Sequence, residues 1–153
     1  MPMRSRIPIA LLATTLIILS IAGCSNGPKP LALEFRVAED SPGEGLSEMF
    51  VPLMDRSIYV HPDAGIDAAH IDTAMVYAQD ERFMVDLKFT AEGKTAMAEL
   101  TAANIGNRIA ILVDGDVVSA PVCRAAIDGG RAVINGDFTE AEATRIADGL
   151  NRR

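Results

Sequence analysis

The residues able to do chemistry in this chain are few and poorly grouped. Two histidines, His61 and His70, are the only imidazoles, and neither falls in an H-E-x-x-H or other paired-ligand spacing. They read as solvated side chains in or near loops. Asp63, Asp67 and Asp72 are too scattered for a calcium loop, which needs oxygen donors at alternate positions around a central glycine. Ser119 has no base beside it in sequence, and acyl transfer needs a nucleophile activated by one. The glycines at 115, 129, 130 and 136 sit in turn contexts such as Asp114-Gly115 rather than in a phosphate-cradling run. Cys123 lies in an apolar strand pattern, where a cysteine behaves as a small hydrophobe, with no neighbouring cation to make it reactive. The expectation is a protein without catalysis, cofactor, metal or small-molecule substrate.

The thiol with a clear chemical role is Cys24. Arg4 and Arg6 precede an uncharged, largely apolar run from Ile7 to Ala22. That is the basic start and apolar core of an export signal. A spanning helix needs about 20 apolar residues, and this run is shorter and interrupted by Pro8, Thr14, Thr15 and Ser20. Ile21-Ala22-Gly23-Cys24 resembles the lipobox of bacterial lipoproteins. The resemblance implies cleavage before Cys24 and acylation of that residue, and two or more acyl chains hold a protein stably at a membrane. Ser25, in place of an aspartate, implies the outer membrane where the cell has one. After acylation, Cys123 has no cysteine left for an intrachain disulfide.

Removing residues 1–23 takes two of the 14 basic residues and none of the 21 acids, leaving a charge of about −9. Such a domain is repelled by nucleic acid and anionic lipid surfaces. Residues 24–30 form a linker rich in proline and small polar residues, with a reach of roughly 20 Å. The domain over 31–153 is thus expected to work near a membrane, facing the periplasm, without lying on it.

The mature chain reads as alternating strands and two helices. Leu31, Leu33, Phe35 and Val37 alternate with Glu34 and Arg36, the period of a half-buried strand. Residues 39–45 form a loop, and 46–55 are ambiguous because Pro52 interrupts a helical spacing. A short strand over 57–60 should stop at Pro62, and 66–70 allows one helical turn. Strands over 73–78 and 82–89 flank a polar connection, Gln79-Asp80-Glu81. Thr90 caps a helix over 91–103 with Gly93, Met97 and Leu100 on one face, stopped by Asn104 or Gly106. Strands over 108–113 and 117–126 flank Asp114-Gly115, a strong hairpin signal, and Pro121 places the second arm at an edge or bulge. A further strand covers 132–134. Thr139 and Glu142 form a capping box, and Ala143, Ile146, Ala147 and Leu150 make the apolar face of the last helix. The fold class is α+β, a two-layer sandwich in which a mostly antiparallel sheet is covered by two amphipathic helices.

In order and spacing, LEFRV at 33–37, FTAEG at 89–93, TAANIG at 101–106, IAILVDG at 109–115, VSAP at 118–121, IDGG at 127–130 and INGDFTEAEA at 134–143 resemble the head subdomain of SecD, the protein-export membrane subunit. The likeness spans about residues 31–150. It implies the fold and a habit of contacting polypeptide on the outer side of the membrane. The family's proton-driven motor resides in transmembrane helices, and the expectation here is a head-like domain on a lipid tether. Two functional expectations follow. One is a module that binds extended polypeptide or an export-complex partner, with the β-hairpin edge at Asp114, Gly115, Val118, Ser119 and Pro121 as the surface. The other is a structural or regulatory lipoprotein docking a folded partner. A contiguous apolar groove favours the first, and a flat patch with a polar rim the second.

Overall fold

A computed structural model of the chain describes residues 30–152. The expected export signal, Cys24 and most of the expected linker lie outside the described residues. Among those described, no helix is long and apolar enough to cross a membrane.

The first alternating run forms β1 (Leu33–Glu39), burying Leu33 and Phe35 while Glu34 and Arg36 stay half-exposed. The ambiguous stretch resolves into β2 (Ser47–Val51) followed by a 3₁₀ turn at Pro52–Met54. Pro52 opens that turn, where a missing N–H costs nothing. The strand expected to stop at Pro62 does not stop: β3 runs from Arg56 to Asp67. The β1–β3 register jumps from Ala38↔Val60 to Arg36↔Ala64, so His61, Pro62 and Asp63 oppose a single residue. On its other side, β3 is paired with β2 only as far as Val60. Pro62 therefore sits in a bulge where no ladder bond is asked of its nitrogen.

β4 (Ile71–Gln79) and β5 (Arg82–Phe89) form a tight hairpin. Its turn is two residues rather than three, with Asp80 and Glu81 both at positive φ (50° and 64°). That is the primed turn whose twist matches the strands. Thr90 accepts from Gly93 N–H at 3.0 Å and starts α1 (Ala91–Ala103). Gly93 is required there, because a Cβ would run into the His70 carbonyl oxygen. β6 (Arg108–Val113) and β7 (Asp116–Ser119) flank Asp114-Gly115 as expected. The second arm, however, ends at Ser119 rather than continuing to Ala126. Beyond it a single bridge joins Val122 to Arg108, because Pro121 has no N–H with which to extend a ladder. β8 (Arg131–Phe138) precedes α2 (Glu140–Asn151), whose Thr139–Glu142 capping box forms in both directions.

Among the described residues all strand pairs are antiparallel, in two sheets rather than one: β2-β3-β1-β6-β7 and β4-β5-β8. The main core lies between the sheets and the helices, joining Phe35 and Ile111 of the first sheet to Leu87 and Ile134 of the second. The expected α2 face, Ala143, Ile146, Ala147 and Leu150, is buried in it. The far side of the five-stranded sheet carries a smaller core around Val51, Ile58, Val60 and Leu112. β6 is thus buried on both faces, which is why Ile109 to Val113 is an unbroken apolar run.

Candidate functional site

An apolar groove of about 390 Å³ opens between β8 and the segment 121–127 that follows β7. Its floor is Phe35, Met97, Ile109 and Ile111; one wall is residues 121–127 and the other Ala132 and Val133 of β8. Val122, Ile127 and Val133 are exposed at its mouth. Arg124 is the one charged residue of the lining, which contains no carboxylate.

Irregular backbone would not hold such a wall unaided, and its polar groups are tied down one by one. Ile109 N–H donates to the Pro121 carbonyl at 3.0 Å, Cys123 N–H to Asn107 at 2.8 Å, and Gly106 N–H to Cys123 at 2.8 Å. Thr101, the buried polar residue of α1, donates its hydroxyl to Met97 C=O at 2.6 Å and accepts from Ile127 N–H at 2.8 Å. The Cys123 thiol donates to Thr101 C=O at 3.2 Å, so this cysteine is a buried structural group, as its apolar setting implied. At the head of the wall, Arg108 donates from Nη1 to Ala120 C=O at 2.8 Å and from Nε to Asp40 at 2.6 Å. That Arg108 bond, opposed by some desolvation and aided by the charges of Arg108 and Arg56, holds the Asp40 carboxyl below its ordinary range.

The five surface residues expected from sequence do not form one site. Pro121 lines the groove. Val118 is half-buried against the main core, and Ser119 pairs with Ile111. Asp114 and Gly115 form the hairpin tip at the other end of β6, where Asp114 is a staple. Its N–H donates to Ala32 C=O at 2.8 Å, and its carboxylate accepts from Ala32 N–H at 3.1 Å and from Arg145 at 2.7 Å. Sequence reading missed Thr101, although it continues the 93–97 helical face by one more turn, and missed the groove-lining run 122–126 by assigning it to a strand. His61 meets Glu39 at 3.0 Å and His70 meets Asp67 at 2.8 Å, on separate elements. Among the described residues no group of three or more His, Cys, Asp or Glu is placed to hold a metal ion.

A second exposed surface is the outer face of the three-stranded sheet, where Met75, Tyr77 and Val133 are exposed, Asp86 lies between Met75 and Val133 and pairs with Arg131, and Lys88 pairs with Asp72.

Comparison with known proteins agrees with this architecture. The family described as "SecDF, P1 head subdomain" matches residues 47–152, from β2 to the end of α2. The protein translocase subunit SecDF of Thermus thermophilus is 48% identical over 83 residues, covering 54% of this chain and 11% of that protein. The subunit SecD of Acetobacter pasteurianus is 32% identical over 108 residues, 69% of this chain and 21% of that one. The chain thus spans about a tenth to a fifth of the length of these relatives. A solved structure of "a membrane component SecDF that enhances protein export" superposes with a TM-score of 0.64 at 30% identity, over 80% of this chain and 62% of that one. With the family matched over most of its length and the same fold found in a solved relative, the chain belongs to the SecDF P1 head subdomain family, which is linked to protein export.

Proposed function

We propose that this protein is a lipoprotein anchored through acyl chains on Cys24, whose head domain binds extended polypeptide, or an export-complex partner that presents one, without catalysis. The observation that supports it is the groove: an open apolar trough whose irregular wall is fixed by hydrogen bonds at both ends. Pre-formed concave apolar surfaces of this kind are how proteins take up apolar ligands. The related SecDF is a membrane component that enhances protein export, and a head domain on a lipid tether facing the periplasm stands where exported chains emerge. The test is photo-crosslinking in the envelope from a probe at Val122 or Ile127, compared with one at Phe50, which is exposed and does not line the groove. Capture of unfolded envelope polypeptide from the first two positions and not the third is expected. Equal capture from all three would remove the groove's role.

A second reading, a structural or regulatory lipoprotein docking a folded partner, is supported by the outer face of the three-stranded sheet. There exposed Met75, Tyr77 and Val133 are interspersed with the Lys88–Asp72 and Arg131–Asp86 ion pairs, the mixed apolar and polar make-up of a non-obligate protein interface. A probe at Tyr77 reports on it in the same experiment.

A further inference from the structure

One border of the groove is the edge of β8, and backbone parity determines what that edge offers. Phe89 N–H donates to Gly130 C=O at 3.0 Å, and the register continues through Leu87↔Ala132 and Val85↔Ile134. In an antiparallel ladder alternate residues turn both backbone groups toward the same neighbour. Gly130, Ala132 and Ile134 therefore serve β5, and Arg131 and Val133 turn their N–H and C=O groups away from it. β8 is the last strand of its sheet, and among the described residues no backbone or side-chain group takes those four. The opposite edge checks the parity. It places Ala74 outward on β4, and there the Asn151 amide makes both bonds, at 2.9 and 2.8 Å. The β4 edge is plugged at that point, whereas the β8 edge is open at Arg131 and Val133 and borders the groove there, since Ala132 and Val133 line it. The facing wall offers little in return, because Pro121 has no N–H and its carbonyl already accepts from Ile109.

We propose that the groove takes its polypeptide as an added strand on β8, with alternate side chains turned into the apolar trough and a carboxylate side chain beside Arg124. This deepens the polypeptide-binding reading above and rests on it. Edge N–H and C=O groups recognise backbone in extended form, and a groove beside them selects side chains at every second position. Charge selects further. In a chain with 21 acids against 14 bases, the groove lining holds one arginine and no carboxylate. Arg124 has no ion-pair partner among the described residues. The fitting segment alternates apolar and small polar residues and carries an acidic residue; a lysine at that place meets Arg124 as a like charge.

The experiment uses the full chain in lipid nanodiscs and a short synthetic peptide of alternating valine and threonine with one glutamate. It adds two versions N-methylated at alternate amides, offset from each other by one residue. The parent peptide is expected to bind, and one N-methylated version to lose affinity by about tenfold or more while the other keeps it, since one set of amides faces β8. Amide hydrogen exchange at Arg131 and Val133 should slow with the peptides that bind. Replacing the glutamate by lysine should weaken binding, and Arg124→Ala should erase that difference. Equal binding by both N-methylated versions, with shifts at Met97 and Ile127, would overturn strand addition and leave the groove as a polypeptide site. No binding by any peptide would overturn both. Slow exchange at Arg131 and Val133 without peptide, growing with protein concentration, would give the edge to a second copy of the chain and also overturn the proposal.

Discussion

The side-chain amide of Asn151 closes the edge of β4 like a missing strand: Oδ1 accepts from Ala74 N–H at 2.9 Å and Nδ2 donates to Ala74 C=O at 2.8 Å. The last residue of α2 thereby fastens helix to sheet, at a point where an unpaired edge would otherwise invite another chain. Asn151→Ala should lower stability by about 1–2 kcal/mol, two hydrogen bonds at their usual net worth. The urea midpoint measures the loss, and faster amide exchange at Ala74 assigns it. An unchanged midpoint would mean that water replaces the amide without cost.

Thr101 links α1 to the groove wall through Ile127 N–H. Thr101→Val keeps the shape, removes the acceptor and leaves that N–H unmet, a cost of about 1–3 kcal/mol. Peptide affinity should fall along with stability, and Thr101→Ser should restore both. Full affinity in the valine variant would show that the wall does not depend on this bond.

Ile146 is 1% exposed at the centre of the α2 face. Ile146→Ala should cost about 2–5 kcal/mol in denaturant unfolding. Glu140→Ala, on the solvent side of the first turn, should cost about 0.5 kcal/mol or less. Equal losses from the two would contradict the docking of this helix.

Asp40 accepts from both Arg108 and Arg56. Because its folded pKa is depressed below the ordinary 3.8, chiefly by the Arg108 hydrogen bond, the unfolded chain takes up the proton more readily. The stability that this group contributes is whole above pH 3.8 and is lost as the pH falls through the lower folded value. Asp40→Asn should flatten this acid limb of the stability curve while changing neutral stability only modestly, because the pairs are exposed. A variant with an unaltered acid limb would remove Asp40 from the account.

Cys24→Ala should leave the precursor uncut and unacylated, as seen by metabolic labelling with a fatty acid and by gel mobility. Cleavage before residue 24 together with membrane fractionation of that variant would contradict the lipobox reading.

Much of the framework was legible because it is set by local chemistry. Thr90, the Thr139–Glu142 pair, the Asp114-Gly115 turn and the α2 apolar face each act within one or two turns of chain, and each stands where its residue types put it. What escaped depends on partners distant in sequence. Pro62 looked like a strand end, because the bulge that accommodates it exists only when β1 is alongside. The division into two sheets is set by which strands find each other, and alternation within a strand carries no record of that. The groove escaped for the same reason: Val122 to Ala126 reads as the end of a strand, and only Pro121, Thr101 and Asn107 together turn it into a fixed loop.

The placement of β1 also governs the order of events in folding. Its ladder with β6 joins Leu33 to Val113, residues separated by about 80 positions of chain, and its ladder with β3 is interrupted by the bulge. The earliest of the described strands to be synthesised is therefore the central strand of its sheet, and it waits for β6 before its second edge is covered. Distant pairings slow folding, since a long loop must close before any contact rewards it. The β4–β5 hairpin, closed by a two-residue turn, forms on a far shorter timescale. Until β6 is made, the second edge of β1, beside the apolar side chains of Leu33 and Phe35, has no partner strand, and an open apolar edge of that kind is where extended chains associate.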